Sequence, residues 1–589
     1  MTGEGHTAGR RQVRAFWAAL LVWLCVGLTV IGFWYTAAEG QAPLGDPTLR
    51  RGERRPFEGL EPRPPPPPVQ ILPPLPSPSE REVVPLPGER VFVREIRVTG
   101  STVFSADELA KVTAPYVNRE VTTEELEALR IALTLLYVNN GYVNSGAILP
   151  DQTVTDGVIT FHIIEGELTS IEVAGNRWFR AGYLQKRLSL GAGPPLNINT
   201  LQEQIQLLLE DQRIQRLNAG LKPGLKPGES LLSVQVEERI PLKLWFDFNN
   251  HQSPSVGAEH GIITLEHQNL TGNGDILTAR YGRSKGLNPL LDFKYAFPLT
   301  ALDTTLSFQY RRNTSVVIEQ PFNELEIKSK SEIYGIGLRQ PIYRTLTTEF
   351  AIELTGERLS SKTLLLGEPF PLSPGANEKG VSVVTALRPA LEWVSRTENQ
   401  VISVRSRFSV GLDALGATIN RDGEPDGRFF AWLAQFQWVR RLGILDTQLI
   451  FRSDIQLTDR PLLSLEQIPV GGRFSVRGYR ENTLVRDNAF LTSLEARVPL
   501  IRNTLWADYV ELAPFFDYGR PWNTKFSSLD PKDIFSVGVG LRWAISTSWP
   551  ISIRPQFELY WGYPLRKIKT SGNDLQDNGI HLQFIIAAF

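Results

Sequence analysis

Cysteine and methionine are almost absent from the sequence, with one residue of each among 589. The single cysteine, Cys25, lies in an apolar stretch near the N-terminus. The rest of the chain therefore has no thiol for a disulfide bond, for zinc binding or for nucleophilic catalysis. This composition is compatible with a protein exported to an oxidising compartment.

An excess of charge of either sign is also missing. Lys and Arg together number 62 and Asp and Glu 63, which gives a formal net charge of -1. A chain with this balance has no overall polybasic character, so nucleic acid is not an expected partner.

Motifs of catalysis, metal binding and nucleotide binding are missing as well. The sequence contains no Walker motif and no H-E-x-x-H. Its one G-x-S-x-G match, at residues 282–286, lies in the part of the chain without helical periodicity, so it does not form the strand-to-helix turn of a nucleophile elbow. The glycine-rich stretches at Gly272 and Gly538 lie in a turn and in a strand pattern, and neither opens a helix that could hold a phosphate. The six histidines lack close ligand spacing: His6, His162, His251, His260, His267 and His581. We therefore expect no enzyme, no cofactor and no metal site.

Only one continuous apolar stretch is long enough to cross a membrane as a helix, Phe16 to Tyr35. Three arginines precede it and small residues follow it, which is typical of an export signal. We predict a cleaved signal peptide over residues 1–42. An uncleaved inner-membrane anchor is the alternative.

Residues 43–88 form a proline-rich segment that contains the run "PRPPPPPVQILPPLPSPSE". Consecutive prolines favour polyproline II geometry and donate no backbone hydrogen bonds, so this segment is predicted to be an extended, semi-rigid linker. Its first part, Ala42 to Pro62, has little helical periodicity. A helix there is therefore not expected.

Two similar units follow, over residues 89–166 and 167–239. Each pattern reads strand, helix, helix, strand, strand, and Ser105 is a plausible N-cap in the first unit. Both units resemble POTRA domains, the small α/β modules that in known families offer strand edges and helix grooves to unfolded client chains. The resemblance implies that a polypeptide is the partner.

From residue 240 to residue 589 the pattern changes to short segments of alternating polarity, such as "KLWFDFN" and "LDFKYAF". Alternation of this kind, with aromatic residues near the segment ends, is typical of a transmembrane β-barrel. A soluble β-sandwich is the alternative, but charged residues at inward positions over such a length favour the barrel. The length predicts about 16 antiparallel strands.

The chain ends in "IHLQFIIAAF". A terminal aromatic residue, Phe589, resembles the recognition signal of outer-membrane barrels. Counting back by twos from Phe589 gives Ala587, Ile585 and Gln583, a face less apolar than the opposite one. The sequence therefore leaves the lipid-facing side of this strand open.

Late in the barrel pattern stand two motifs, "VRGY" at Val476 to Tyr479 and "FFDYG" from Phe515. An earlier stretch, "NLTGNGD", begins at Asn269. Together with the POTRA-like units, these motifs resemble the TpsB transporters of two-partner secretion, the ShlB/FhaC/HecB type. The resemblance covers nearly everything after Gly88.

The resemblance implies that the VRGY-type motif lies at the tip of a long loop folded back into the barrel. Its residues here are Val476, Arg477, Gly478 and Tyr479. The arginine of that motif meets an acidic residue in an F-x-D-x-G strand motif, which corresponds to Phe515, Asp517 and Gly519. Alternation independently predicts that Asp517 points into the lumen, where a carboxylate favours an arginine partner.

The first functional hypothesis is therefore an outer-membrane pore that secretes an unfolded TpsA-like partner protein of the haemolysin or adhesin kind. The POTRA units would lie in the periplasm, lipid would surround the barrel, and barrel-assembly machinery would insert it. The second hypothesis is a barrel-assembly factor of the same superfamily. The third is a passive porin-like channel, which would have no use for polypeptide-binding units.

Overall fold

The computed structural model describes most of the chain. It covers the backbone of Ala38–Glu39, residues 60–64 and 66, and residues 90–588 apart from 422–423, 526, 529, 548–551 and 571. Most of the predicted signal peptide, most of the predicted linker and Phe589 lie outside the described residues. In the part of the chain that is described, no helix is both long and apolar enough to cross a membrane.

The first α/β unit contains a sheet, two helices and a short ribbon. Its elements are β1 (Val91–Val93), β2 (Glu95–Thr99), α1 (Ala106–Thr113), β3 (Arg119–Val121), α2 (Thr123–Asn139), β4 (Gly146–Ile148) and β5 (Val158–Ile164). The sheet order is β2-β5-β4, with β2 parallel and β4 antiparallel to β5. The pairing of β1 with β3 adds a ribbon to the predicted order of elements.

Both helices of this unit begin with capping boxes. Ser105 caps α1 and Thr122 caps α2, each with a glutamate three residues later that bonds back to the cap. The buried Tyr137 of α2 donates its hydroxyl to Glu165 at 3.0 Å. Burial raises the pKa of Tyr137 to about 12. These local signals explain why the predicted helices form where they do.

The second α/β unit repeats this layout without the ribbon. Its elements are β6 (Glu167–Ala174), α3 (Ala181–Leu188), α4 (Ile198–Leu209), β7 (Ile214–Pro223) and β8 (Glu229–Glu238). The sheet order is β6-β8-β7, with β6 parallel and β7 antiparallel to β8. Alternate residues of β8 pack against the apolar faces of both helices and form a closed core.

Sixteen antiparallel strands then form a closed barrel, as predicted. They are β9 (Leu242–Asn249), β10 (His260–His267), β11 (Ile276–Ser284), β12 (Leu287–Pro298), β13 (Thr305–Val316), β14 (Lys328–Arg344), β15 (Thr348–Leu365), β16 (Val381–Arg396), β17 (Gln400–Leu412), β18 (Phe430–Arg441), β19 (Gln448–Thr458), β22 (Asn488–Thr504), β23 (Ala507–Trp522), β24 (Ile534–Ala544), β25 (Ile553–Pro564) and β26 (Ile580–Ala588). Strand β9 pairs with β26 and closes the ring. The loop between β19 and β22 carries a ribbon of β20 (Ile468–Val470) and β21 (Leu484–Arg486).

The alternation in the sequence corresponds to the two faces of this barrel. Phe246 and Phe293 are exposed on the outside, whereas Asp292 is buried on the inside. The last strand, left open by the sequence, also has a defined orientation. His581 and Ala587 are buried, so the more apolar face that contains Phe584 points outward. The outer surface is therefore the apolar band that lipid requires.

A hydrogen-bonded joint connects the second α/β unit to the first turn of the barrel, residues 268–275. Arg213 donates from Nη1 to the carbonyl oxygens of Gln268 and Gly274, both at 2.7 Å. Asp211 holds the same guanidinium from its other side. A Cβ on Gly274 would lie 2.4 Å from the Tyr183 hydroxyl. The "NLTGNGD" stretch thus supplies the small residues on which this unit rests.

A second contact strengthens the joint at the next turn on the same end of the barrel. Arg187 of α3 donates from Nη1 to Asp303 at 2.9 Å, and Arg344 donates to the same carboxylate at 2.6 Å. Burial alone would raise the pKa of Asp303, but the hydrogen bond and charge of Arg187 outweigh it and lower this pKa. The ion pair therefore contributes fully to stability at pH values above the ordinary pKa of aspartate. This contribution is lost only as the pH falls through the lowered pKa of Asp303.

Replacing Arg213 by alanine is expected to loosen this joint. The two turn carbonyl groups lose their donor, which costs roughly 1–3 kcal/mol. In the detergent-solubilised protein, protease cleavage between residues 239 and 242 should become several times faster. Arg216→Ala is the matched control, because Arg216 lies three residues further along, on β7, with 68% of its side chain exposed. Equal cleavage rates in both variants would show that Arg213 does not hold the joint.

The described part of the proline-rich segment lies at this same end of the barrel. Leu60 packs against the inward-facing Val401, Val439 and Ile450. Arg63 pairs with Glu210 at 3.1 Å, and Gln206 of α4 donates to the carbonyl oxygen of residue 66 at 3.1 Å. No helix occurs in residues 60–64 and 66. This short part of the linker therefore touches both the barrel mouth and the second α/β unit.

A short segment near the N-terminus pairs with a loop of the barrel. Ala38–Glu39 runs parallel to Ile568–Lys569, in the loop between β25 and β26 at the far end of the barrel.

Candidate functional site in the barrel lumen

The loop between β19 and β22, residues 459–487, folds into the barrel instead of extending from it. All four residues of the VRGY motif are buried. Val476 has no exposed surface and belongs to an apolar cluster with Ile534, at the start of β24. The Tyr479 hydroxyl donates to the carbonyl oxygens of Phe535 at 3.0 Å and Arg566 at 2.8 Å. The loop tip is therefore held at both ends of the motif.

Arg477 forms a two-pronged ion pair with Asp517 of β23. Its Nε and Nη2 donate to the two carboxylate oxygens at 2.7 and 2.8 Å. Its backbone N–H donates to Asp517 as well, at 3.0 Å. Only 1% of the arginine side chain and 0% of the aspartate side chain are exposed. Water therefore screens this pair far less than it would screen one on an open surface.

Arg477 has a second carboxylate partner that the sequence motifs did not reveal. Its Nη1 donates to Glu495 of β22, and its Nη2 donates to Ser493 at 3.2 Å. Arg497 in turn donates to Glu495 at 2.8 Å. The result is a buried line of alternating charge, Asp517, Arg477, Glu495 and Arg497.

Two aromatic rings enclose the same guanidinium. The Arg477 Cζ atom lies 3.6 Å from the ring centroid of Phe515 and 5.1 Å from that of Tyr560. Arg473 lies on Tyr560 as well, at 4.1 Å. The phenylalanine of the strand motif therefore serves as a cation–π surface for the loop arginine.

Glycines allow the loop to approach the wall this closely. Gly478 has a φ of 88°, and a Cβ there would lie 2.8 Å from the carbonyl oxygen of Gly562 on β25. A Cβ on Gly519 would lie 2.8 Å from Val476. Any larger residue at these positions would displace the tip.

Three further ion pairs fix residues near the motif. Arg473 donates to Glu558 of β25 at 2.7 Å. Arg480 donates to Asp577, in the loop before β26, and to Glu319 at 2.6 Å. The backbone N–H of Gly478 also donates to His581 Nε2 at 3.2 Å. The loop tip is thus attached to several strands and to neighbouring far-end loops.

Some of the residues that contact the loop tip were not predicted from the sequence motifs, although part of them have a recognisable signal in the sequence. Ser493 and Glu495 stand at alternate positions of β22, on the inward face, and that parity could have identified them as lumen residues. Gly562 and His581 give no such signal, because their contact with the loop depends on strand register. Phe589, predicted as the assembly signal, lies outside the described residues.

The site can immobilise a loop, and its geometry suggests no bond-making chemistry. Its charged groups are saturated by one another. In the part of the chain that the structure describes, no group of three or more His, Cys, Asp or Glu side chains could hold a metal ion. The arrangement holds the loop tip against the inner wall of the barrel.

Comparisons with known proteins agree with this architecture. The family model of "Haemolysin secretion/activation protein ShlB/FhaC/HecB" matches residues 228–543, and that of the ShlB-type POTRA domain matches residues 91–166. The chain is 24% identical to the outer membrane transporter CdiB of Dickeya dadantii over 496 residues, 79% of this chain and 84% of that protein. It is 21% identical to the heme/hemopexin transporter protein HuxB of Haemophilus influenzae over 475 residues, covering 76% and 80% of the two chains.

A solved structure shares the fold. CdiB from Escherichia coli superimposes with a TM-score of 0.63 at 18% identity, over 92% of this chain and 95% of that one. Two α/β units before a closed barrel with an inward loop define an outer-membrane transporter whose POTRA units are periplasmic. The chain belongs to the ShlB/FhaC/HecB family of haemolysin secretion/activation proteins. The predicted family is therefore confirmed.

Proposed function

We propose that this transporter exports an unfolded TpsA-like partner protein, of the haemolysin or adhesin kind, through the lumen of its barrel. The observation that carries the proposal is the loop in the lumen. Residues 476–479 close a polar, charge-lined passage with contacts that can be broken without opening the sheet. A closure of this kind suits a pore that opens only for a particular cargo.

Client capture is assigned to the two POTRA units. In the first, β2 and β4 are the edges of the sheet, and in the second, β6 and β7 are the edges. An unpaired edge can accept an extended peptide as an added strand. Helix α4 offers a second surface, since its flank already holds the chain's own residues 63 and 66. Both surfaces lie at the periplasmic end, where a client would arrive.

The remaining partners follow from the outer surface and the last strand. The exposed apolar side chains of the barrel suit lipid, and β26 is the strand that an assembly machine would have to recognise before closure. We assign the protein no catalytic activity, because the lumen site is saturated by ion pairs. Net movement of the client would then be driven by its folding outside the cell.

Export of a co-expressed client is the direct test of this function. A Gram-negative host would carry this chain together with a large exported protein encoded beside it that has an N-terminal secretion domain. We expect the client in the medium only when the chain is present, with unchanged levels of other outer-membrane barrels. A drop in those barrels on depletion would favour the assembly factor. Small-solute uptake without client export would favour the porin.

The barrel itself predicts a simple biochemical property. The purified mature chain should be rich in β-structure, and its electrophoretic mobility should change on heating, because the closed strand ring resists unfolding by detergent. Circular dichroism and gels of heated and unheated samples measure both properties. A monomer that stays in aqueous solution without detergent would contradict the membrane-embedded barrel.

A further inference from the structure

The inward loop touches the barrel wall at a second place, before the chain reaches the VRGY tip. We call residues 459–467 the loop arm. Its three leucines are buried in one apolar cluster with wall residues of four strands. The cluster contains Leu462, Leu463 and Leu465 of the arm and Ile333, Leu359, Val384, Ala386 and Ala431 of the wall. The arm is therefore packed against the wall through its leucines.

A buried ion cluster fixes the end of the arm. Arg388 of β16 donates from Nη2 to Glu466 of the arm at 2.8 Å and from Nε to Glu357 of β15 at 2.6 Å. Its Nη1 donates to Ser409 of β17 at 2.6 Å. The side chains of Arg388, Glu357 and Glu466 are 1%, 7% and 3% exposed. One arginine thus joins a carboxylate of the wall to a carboxylate of the loop.

This cluster and the tip site lie on different parts of the barrel wall. In the closed ring of sixteen strands, β16 is the eighth strand and β26 is the sixteenth. Arg388 belongs to β16, whereas His581 of β26 accepts the hydrogen bond from Gly478 of the tip. Arg388 is therefore eight strand positions from His581, and it is four and five positions from the strands β22 and β23 that carry Glu495 and Asp517. The loop thus runs from one part of the wall to another.

We propose that Arg388 is a positioning residue that holds the arm independently of Arg477. The wall partners of Arg388 lie on β15 and β17 and those of Arg477 on β22 and β23, and the energies of distant groups are usually additive. Release of the tip would then leave the arm in place. The loop would open in two steps, and a client would pass on the tip's side of a fixed arm.

Cysteine labelling can follow the arm and the tip separately, because the sequence contains a single cysteine. In a Cys25→Ser background, Leu463→Cys reports on the arm and Val476→Cys on the tip. Both native side chains have 0% exposure, so labelling requires transient opening. Intact cells that carry the full chain would be treated with a membrane-impermeant maleimide. No client is needed, so the outcome is independent of the proposed export function.

We expect Arg388→Ala to raise the labelling rate of Leu463→Cys roughly tenfold and to leave that of Val476→Cys within about twofold. Arg477→Ala should have the reverse effect. Glu466→Gln should reproduce Arg388→Ala at the arm while keeping the wall pair of Arg388 with Glu357. If the Arg388→Ala protein does not insert into the outer membrane, Glu466→Gln still tests whether this ion pair holds the arm.

Arg405→Ala is the matched control. Arg405 is also a lumen arginine with two carboxylate partners, Glu353 at 2.9 Å and Glu392 at 3.3 Å, and both belong to the wall. It should change neither labelling rate. An equal rise at arm and tip in Arg388→Ala and Glu466→Gln would overturn the proposal, because the loop would then move as one body. No rise at Leu463→Cys in either variant would also overturn it, since Arg388 would only brace the wall.

Discussion

Arg477→Ala is expected to reduce secretion of the client at least roughly tenfold while the barrel still inserts. The substitution leaves Asp517 and Glu495 buried without their shared cation, a loss of about 3–5 kcal/mol for a fully buried pair. The strand ring is unaffected, because the lost contacts join a loop to the wall. Secreted client in the medium and heat-modifiability of the barrel would be measured together.

Arg520→Ala is the control for this prediction. Arg520 lies on the same strand as Asp517 but its side chain is exposed on the outer face. Its removal should leave secretion unchanged. If Arg477→Ala secretes as well as the unmodified protein, the buried pair does not set the position of the loop that export needs.

The pair with Asp517 can be separated from the other contacts of Arg477 by a double-mutant cycle. Asp517→Ala alone leaves the arginine with Glu495, so its defect should be milder than that of Arg477→Ala. The double variant should be no worse than Arg477→Ala, because it removes a carboxylate that has lost its partner. Strictly additive defects would mean that the two residues act independently.

A charge swap would not rescue this site. Arg477→Asp with Asp517→Arg places the new aspartate next to Glu495, so two carboxylates would face each other in a buried position. The pair alone suggests that a swap should restore function, but the second carboxylate in the structure predicts that it fails.

Deletion of residues 90–239 is expected to abolish export altogether. The deletion removes every strand edge and helix groove assigned to client capture, while all sixteen barrel strands remain. The shortened chain should still reach the outer membrane and still show heat-modifiability. Export of the client by this shortened chain at normal efficiency would show that capture lies elsewhere.

A narrower deletion, residues 90–164, separates the two POTRA units. It leaves the second unit on its joint with the turn at residues 268–275. Export that persists after this deletion and stops after the larger one would assign capture to the second unit.

The general architecture could be predicted from the sequence because it is a matter of periodicity. Alternation of polarity predicts strands and their faces, and the number of residues divided by a typical strand-and-turn length predicts about 16 strands. Capping residues such as Ser105 and Thr122 likewise mark helix starts through bonds within a few residues. These signals are local, so the sequence contains them directly.

The lumen site was predictable only in part. The contact of Arg477 with Asp517 is present in the structure, and it was expected from two matched motifs. The contacts with Glu495 and Gly562 depend on how strands are aligned, and alignment is a property of the whole ring. The anchoring of the arm by Arg388 depends in addition on the path of a loop, for which periodicity gives no information.

The contact of residues 60–64 and 66 with the barrel mouth and helix α4 has a consequence for client binding. A peptide tethered to its own binding surface behaves as a ligand at an effective concentration that is set by the length and stiffness of the tether. Any client that uses the same surface must therefore displace a competitor that dilution cannot remove. A weak single-site peptide would lose this competition, whereas a client that also pairs with a POTRA strand edge would win it through avidity. The linker would then prevent binding of polypeptides that contact this surface alone.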